Sequence, residues 1–158
     1  MRLARVIMGI IALALITVSC SENSCYENGS ALPLVRFYAS GSTSQVMLSG
    51  VTIRGIDSPG DSLLVDNSVI DEIYLPLRAT VNTTQWEFSF PELDIADTLT
   101  LQYRPIPYFS SVECGAMYNF ELTSVTMTRH MADSVAIAKT LIDNGTDVAI
   151  RLFYTVQQ

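Results

Sequence analysis

Few side chains of this sequence are placed to act as an acid, a base or a nucleophile. His130 is the only histidine, so a general-base mechanism or a catalytic triad would have to use it. Asp133 follows three residues later, and no Gly-x-Ser-x-Gly motif supplies an activated serine. A hydrolase of envelope polymers would therefore depend on His130 with a carboxylate such as Asp133. We expect instead an ordinary histidine and no catalytic residues.

Metal-binding patterns are equally sparse. Asp57, Asp61, Asp66 and Asp71 could supply oxygen ligands to calcium, but they lack the Asp-x-Asp-x-Asp-Gly spacing of a calcium loop. Asp is also common in turns, and we interpret these four residues as turn formers. The three cysteines and one histidine lack the short paired spacings of a zinc site. We expect no metal and no cofactor.

The N-terminus carries a different chemistry. Arg2 and Arg5 precede an apolar run over residues 6–18, which is too short for a transmembrane helix of about 20 residues and is typical of an export signal. The segment Thr17-Val18-Ser19-Cys20 resembles a bacterial lipobox, although Leu is more usual than Thr at its first position. This resemblance implies that residues 1–19 are a signal peptide and that Cys20 carries diacylglycerol and an acyl chain such as palmitate. Ordinary secretory cleavage, with Cys20 left as a thiol, is the alternative.

Export also determines how we interpret the other two cysteines. If Cys20 carries lipid, Cys25 and Cys114 remain, and disulfides persist in oxidising compartments. A Cys25–Cys114 bond would close a loop of roughly 90 residues, which the chain-entropy model values at about 4.6 kcal/mol as an upper figure. Pairing between two chains is the alternative.

Charge and composition limit the partners and the domain organisation that we expect. The chain has 158 residues and a formal net charge of −7, with Lys139 as its only lysine. Nucleic-acid binding needs clustered basic side chains, so we expect no nucleic-acid partner and no polybasic membrane patch. Residues 20–31 are mostly polar and rich in turn-forming types, which predicts a tether. Residues 32–158 are enough for one domain.

The domain alternates apolar and polar residues in twos between turn signals, which predicts strands. In residues 84–90, Trp86, Phe88 and Phe90 share one face, and this strand pairs with residues 98–104 in a predicted hairpin. The apolar parity changes at Gly50, which indicates a β-bulge. The pattern predicts an antiparallel, Ig-like β-sandwich of seven or eight strands. The predicted strands cover residues 34–39, 46–56, 73–77 as an edge strand, 84–90, 98–104, 118–127, 148–156 and a short piece of 133–142.

Two aromatic residues fall outside this pattern. Pro105 and Pro107 disfavour regular pairing, so we expect Tyr108 and Phe109 to lie on or near a loop. Exposed aromatic side chains on a sandwich loop could stack against a glycan. A loop that covers the end of its own core is the alternative.

A short motif occurs three times: Asp followed by Ser or Thr and an aliphatic residue. It places Ser62, Thr98 and Ser134 after Asp61, Asp97 and Asp133. The motif resembles the O-glycosylation acceptor of exported Bacteroidota proteins, which implies modification of these three hydroxyl groups. Asp that ends a turn before a strand is the alternative.

Several segments after the lipobox also resemble a family of small Bacteroidota cell-envelope lipoproteins of unassigned function; they are residues 61–64, 75–77, 97–103, 108–109, 113–115 and 150–154. The resemblance implies location and fold and gives no catalytic residue. Only Glu22 is acidic directly after Cys20, whereas surface-exported relatives carry an acidic run there, so we expect the periplasmic face of the outer membrane. We expect a non-enzymatic lipoprotein, an adaptor or ligand-binding module held by its lipid anchor, with an envelope protein or glycan as partner.

Overall fold

The computed structural model describes residues 31–57, 62–112 and 115–155. They form ten strands and one turn of 3₁₀ helix at Pro91–Leu93. Within these ranges no helix is long and apolar enough to cross a membrane. The strands are β1 (Leu34–Ala39), β2 (Leu48–Ile56), β3 (Leu63–Ile70), β4 (Glu72–Tyr74), β5 (Thr83–Phe90), β6 (Ile95–Ser111), β7 (Gly115–Met127), β8 (Ala132–Ile137), β9 (Leu141–Ile142) and β10 (Val148–Tyr154).

The strands lie in two sheets that pack face to face. The four-stranded sheet has the order β4-β1-β10-β8, and the six-stranded sheet has the order β3-β2-β5-β6-β7-β9. Neighbouring strands are antiparallel except β1 and β10, which are parallel. The predicted all-β sandwich is confirmed, with ten strands in the described residues instead of seven or eight and one parallel pair that the sequence did not indicate.

The core forms between the inner faces of the two sheets. Phe37 of β1 meets Phe88 of β5 edge to face, with ring centroids 6.4 Å apart, and Tyr154 of β10 meets Phe90 of β5 at 6.4 Å. Edge-to-face contacts of this kind add to the free energy of apolar burial. The strict alternation of β5 is confirmed, since Trp86, Phe88 and Phe90 are all buried.

Three local predictions from the sequence are also confirmed. The hairpin of β5 and β6 turns at Pro91–Leu93, as expected. The pairing of β2 with β3 shifts register between Leu48 and Val51, and Gly50 between them has a φ of +66°, which only glycine adopts without strain. The edge position predicted for residues 73–77 is also confirmed, although the strand there, β4, covers only Glu72–Tyr74 and ends before Pro76.

Strand β3 was not predicted from the sequence. It lies at the edge of the six-stranded sheet, where most of its side chains are exposed on both faces of the sheet, so buried and exposed residues do not alternate along it. Pairing with β2 holds it there, and Asn67 donates its backbone N–H to the Thr52 hydroxyl at 3.0 Å. Asp66 therefore lies on a strand and not in a turn, which corrects its interpretation as a turn former.

The loop predicted around Tyr108 and Phe109 is wrong, because β6 continues through both prolines to Ser111. Pro105 pairs with Phe120 of β7, and Pro107 pairs with Tyr118. The pairing with β5 ends at Gln102, so the later part of β6 has one open side. On an open side a missing N–H removes no ladder hydrogen bond, and proline is tolerated there.

Candidate functional site

The outer face of the four-stranded sheet carries an aromatic and basic surface on its two central strands. Since Phe37 and Leu152 point into the core, their neighbours Tyr38 and Phe153 point outward. The parallel register of β1 and β10 places Tyr38 beside Phe153 and Arg36 beside Arg151. We call Arg36, Tyr38, Arg151 and Phe153 the outer platform.

The aromatic side chains of the outer platform are adjacent and tilted relative to each other, and one arginine lies over one of the rings. The rings of Tyr38 and Phe153 have centroids 5.9 Å apart at an interplanar angle of 37°. The guanidinium carbon of Arg151 lies 5.7 Å from the centroid of the Tyr38 ring, within the range of a cation–π contact. Both rings are half-buried, so each keeps part of its surface for a ligand.

The two arginines of the outer platform differ in their partners. Arg36 donates through Nε to the Glu72 carboxylate at 2.8 Å, and its Nη2 contacts the same oxygen. The hydrogen bond that Arg36 donates to Glu72 raises the pKa of Arg36 above its usual value. Arg151 has no carboxylate within 4.0 Å among the described residues. Arg151 is therefore the arginine of the platform that can bind an anionic or polar group.

Two open depressions each include part of the outer platform. One has a volume of about 620 Å³ and is lined by Phe153, Ser134 and residues 41–43. The other has a volume of about 570 Å³ and is lined by Tyr38, Arg151, Arg36, Lys139 and Asp147 among others. Lys139 there binds Asp143 and Asp147 at 2.9 and 3.1 Å. Aromatic faces beside hydroxyl and charged groups can bind a ring-shaped polar ligand.

A second centre forms around Asp97 at the beginning of β6. Its carboxylate is fully buried and accepts the backbone N–H groups of His130, Met131 and Ala132, each at 2.8 Å. The Thr128 hydroxyl donates to it at the same distance. Because β6 and β8 belong to different sheets, this carboxylate ties the two layers together at the turn between β7 and β8.

The donors around Asp97 determine its ionisation. Burial alone would raise the pKa of this carboxyl group, but the N–H groups of Ala132, His130 and Met131 and the Thr128 hydroxyl outweigh burial and lower the pKa. Burial also raises the pKa of Tyr154, and the negative charge of Asp97 raises it further. Asp97 is thus ionised and Tyr154 neutral at physiological pH.

His130 lies beside Asp97 and not beside Asp133. Its Nδ1 is 3.2 Å from Asp97 Oδ1, and 63% of its side chain is exposed. The Asp133 carboxylate instead accepts the Ser40 hydroxyl at 2.6 Å and the Ser134 hydroxyl at 3.3 Å. The carboxylate next to His130 is already engaged by four other donors, so it stabilises the turn between β7 and β8 and leaves His130 as its exposed neighbour.

The structure does not bring the two aromatic residues predicted for glycan contact together. Tyr108 and Phe109 are successive residues of β6, so their side chains lie on opposite faces. Phe109 is 70% exposed, whereas Tyr108 is half-buried and donates its hydroxyl to the Met117 sulfur at 3.9 Å. The two residues cannot stack on the same sugar ring from one face.

The three hydroxyl groups of the O-glycosylation motif lie in unlike surroundings. Ser62 precedes β3 and accepts the Gly55 N–H on its backbone carbonyl at 2.9 Å. Thr98 is a half-buried residue of β6 between β5 and β7, directly after the buried Asp97. Ser134 lies on β8 and lines the depression at Phe153.

The remaining predicted residues either lie apart or fall outside the description. Asp57 is in a turn with a φ of 53°, and Asp71 accepts the Gln45 amide at 3.0 Å. No three His, Cys, Asp or Glu side chains of the described ranges gather as metal ligands would. Four predicted residues lie outside the described residues: Cys20, Cys25, Asp61 and Cys114.

Neither the outer platform nor the role of Asp97 was predicted from the sequence. Tyr38 and Phe153 each stand next to a core aromatic residue in the chain, and this alternation indicated that their side chains point outward. Their adjacency follows from the pairing of the first described strand with the last, which parity does not reveal. Asp97 gave no indication beyond its place before an apolar alternation.

Comparison with known protein families gives a match over much of the domain. The model of a family of unknown function, DUF6452, matches residues 50–154, more than half of the chain. The matched region runs from the bulge in β2 to the end of β10 and includes Asp97, Arg151 and Phe153. No curated protein and no solved structure matches the chain.

Proposed function

The chain belongs to this family of unknown function, and we propose that it is a non-enzymatic cell-envelope lipoprotein whose outer platform binds a glycan. The observation that carries the proposal is the adjacent, tilted pair of Tyr38 and Phe153 rings, with Arg151 free of carboxylate partners among the described residues. A ring pair offers a face to a sugar, and the guanidinium offers donors to its hydroxyl or carboxylate groups. An envelope protein as the ligand is the alternative.

The lipid anchor is the second part of the proposal. Its support is the short apolar run over residues 6–18, which ends two residues before Cys20. Several acyl chains on Cys20 would hold the domain on a membrane, since one chain alone binds only weakly. We propose the periplasmic face of the outer membrane in a member of the Bacteroidota as the location.

The anchor is tested in the natural host with the Cys20→Ser variant. Wild-type protein should incorporate labelled palmitate and sediment with the outer membrane, and Cys20→Ser should incorporate none. Equal labelling of the two chains, or none in either, would contradict lipid attachment at this residue. Cys25→Ser is the matched control and should keep the label.

Binding is tested with three immobilised probes: peptidoglycan sacculi, lipopolysaccharide and capsular polysaccharide from the host envelope. The full chain in detergent should bind one of them, and the double variant Tyr38→Ala/Phe153→Ala should bind it at least tenfold more weakly, which equals about 1.4 kcal/mol. Tyr74→Ala is the matched control, because Tyr74 is an exposed aromatic residue of the same sheet outside the platform. Absence of binding to all three glycans, or equal binding by the double variant, would contradict the proposal.

A non-enzymatic function is proposed because the one histidine has no free carboxylate partner in the described residues. His130→Ala should leave glycan binding and the integrity of each glycan unchanged. Release of soluble fragments by the wild type but not by His130→Ala would replace the binding proposal with the hydrolase alternative. This assay uses the same three glycans, so binding and cleavage are read in one preparation.

A further inference from the structure

Strands β6 and β7 continue beyond the rest of the six-stranded sheet as a two-stranded arm. The pairing of β5 with β6 ends at Gln102, and the pairing of β9 with β7 covers only Phe120 and Glu121. The residues beyond these points pair with each other up to Ser111 and Gly115. We define residues 105–112 and 115–119 as the β6–β7 arm. At about 3.3 Å per residue, its β6 strand extends about 20 Å.

The composition of the β6–β7 arm differs from that of the rest of the chain. None of residues 105–112 and 115–119 is charged, although Glu113 follows Val112 in the sequence, and the chain as a whole has a net charge of −7. Phe109 is 70% exposed and Val112 is 86% exposed, which makes Val112 the most exposed large apolar side chain of the described residues. Ala116, paired with Phe109, is also exposed. A projection whose described residues carry exposed apolar side chains and no charge is typical of a contact surface.

The chain enters the domain beside this arm. The backbone N–H of Ala31 donates to the carbonyl of Tyr118 at 3.4 Å, and Ala31 is almost fully buried. Cys20 precedes Ala31 by eleven residues, a length of chain that spans at most about 40 Å when fully extended. Lipid on Cys20 would therefore hold the base of the arm within that distance of the bilayer.

We propose that the tip of the β6–β7 arm inserts into the interface of the membrane that holds the lipid anchor. The inference rests on the proposed attachment of lipid to Cys20. Phe109 and Val112 would enter the boundary between headgroups and acyl chains, and Tyr108 and Tyr118 would lie nearer the headgroups, where amphipathic rings are enriched. The arm and the lipid would then give the domain two points of membrane contact and a restricted orientation.

The occupant is a lipid surface because the described residues of the arm offer no charged group to a glycan or to a complementary protein. The β6 edge of the arm is also interrupted by Pro105 and Pro107, which limits the addition of a further strand from a protein partner at that edge. Insertion into a bilayer requires neither charged side chains nor an uninterrupted strand edge, and the tether would keep the arm close to the membrane.

The test uses the full chain reconstituted into phosphatidylethanolamine and phosphatidylglycerol vesicles whose acyl chains carry bromine, a contact quencher of tryptophan. Phe109→Trp places a probe on the arm, and Val112→Trp is a second probe at an equally open position. Leu93→Trp is the matched control, because Leu93 is 54% exposed at the opposite end of β6, roughly 50 Å away along the strand. The native chain gives the constant signal of the buried Trp86, which is subtracted.

Brominated lipid should reduce the fluorescence of Phe109→Trp and Val112→Trp at least twofold and leave that of Leu93→Trp unchanged. Equal quenching at all three positions, or none on the arm, would overturn the inference. These vesicles contain no protein or glycan partner, so an arm that serves either of them would show no quenching. Palmitate labelling reports separately on the anchor. Labelled chains without arm quenching would contradict the arm alone, and quenching without label would contradict the anchor alone.

Discussion

The two ends of strand β6 reverse the usual relation between side-chain polarity and burial. At its beginning, Asp97 places a carboxylate in the interior, where four donors at 2.8 Å bind it. At its end, Phe109 and Val112 place apolar groups on the surface. The buried charge is fully satisfied within the chain, whereas the exposed apolar groups are not covered by any described residue. The first end of β6 therefore stabilises the fold, and the second end is available for contact.

The largest effect is expected at the buried end. Asp97→Ala should lower the free energy of unfolding by about 3–5 kcal/mol, because it leaves three N–H groups and a hydroxyl without their acceptor. Urea denaturation followed by tryptophan fluorescence measures the change. Asp133→Asn, at an exposed carboxylate with two serine donors, is the control and should change stability by less than about 1 kcal/mol. Similar losses of stability for the two variants would contradict a special contribution of the buried Asp97 carboxylate.

The cysteines outside the described residues give the next largest effect. Replacing Cys25 or Cys114 by Ser should lower stability by about 2–4 kcal/mol if the two residues form an internal disulfide. The bond is within reach of the chain, since Ala31 is hydrogen-bonded to Tyr118 and each cysteine is only a few residues from one of these positions. Mass spectrometry with and without reductant decides the matter, and two free thiols or a covalent dimer would contradict the prediction.

The buried carboxylate of Asp97 also predicts that the stability of the fold depends on pH. Because the pKa of Asp97 is lower in the folded protein than in the unfolded chain, its ionisation stabilises the fold above the unfolded value of about 3.9. This contribution is lost as the pH falls through the lower folded pKa. The difference in unfolding free energy between wild type and Asp97→Asn should therefore be constant from pH 7 to about pH 5 and shrink below about pH 4. A difference that grows on acidification would contradict the sign.

Between the two ends of β6, Tyr103 should give an intermediate effect. Its hydroxyl contacts the Thr84 hydroxyl at 2.7 Å, donates to the carbonyl of Arg78 at 3.0 Å and accepts the Arg78 N–H at 3.1 Å. Tyr103→Phe removes these bonds and keeps the buried ring, so the expected loss is about 1–2 kcal/mol by urea denaturation. A loss below about 0.5 kcal/mol would show that this hydroxyl network contributes little.

The smallest effect on stability is expected at the exposed end. Phe109→Ser should change the free energy of unfolding by less than about 0.5 kcal/mol, because the side chain is 70% exposed in the folded protein. Val112→Ser should behave in the same way. A loss of 2 kcal/mol or more would mean that the end of the arm packs against the domain, and the distinction between the two ends of β6 would fail.

Sequence patterns predicted the elements that have one buried face. Strand β5 was predictable because Trp86, Phe88 and Phe90 alternate strictly with polar residues, and the hairpin with β6 followed from Pro91. Strand β3 was not predictable, since neither of its faces is consistently buried. The extension of β6 was hidden by prolines, which are tolerated because that part of the strand has an open side.

The candidate site was less accessible to sequence reasoning than the fold. The outer platform depends on the parallel pairing of β1 with β10, two strands separated by more than one hundred residues. The Asp97 centre depends on three consecutive N–H groups, those of residues 130–132, which follow Asp97 by 33 to 35 residues in the chain. Both arise from long-range register, which period-two alternation does not specify.

Amide hydrogen exchange of the full chain, with and without phosphatidylethanolamine and phosphatidylglycerol vesicles, tests the comparison most directly because it reports on both ends of β6 at once. We predict that amides of residues 99–102 and 130–132 exchange slowly in both states, since β6 there is paired on both sides and the turn is bound by Asp97. Amides of residues 105–112 should exchange faster in detergent and become at least tenfold slower on vesicles. Equal exchange of the arm in the two states, or faster exchange near Asp97 than in the arm, would contradict the account.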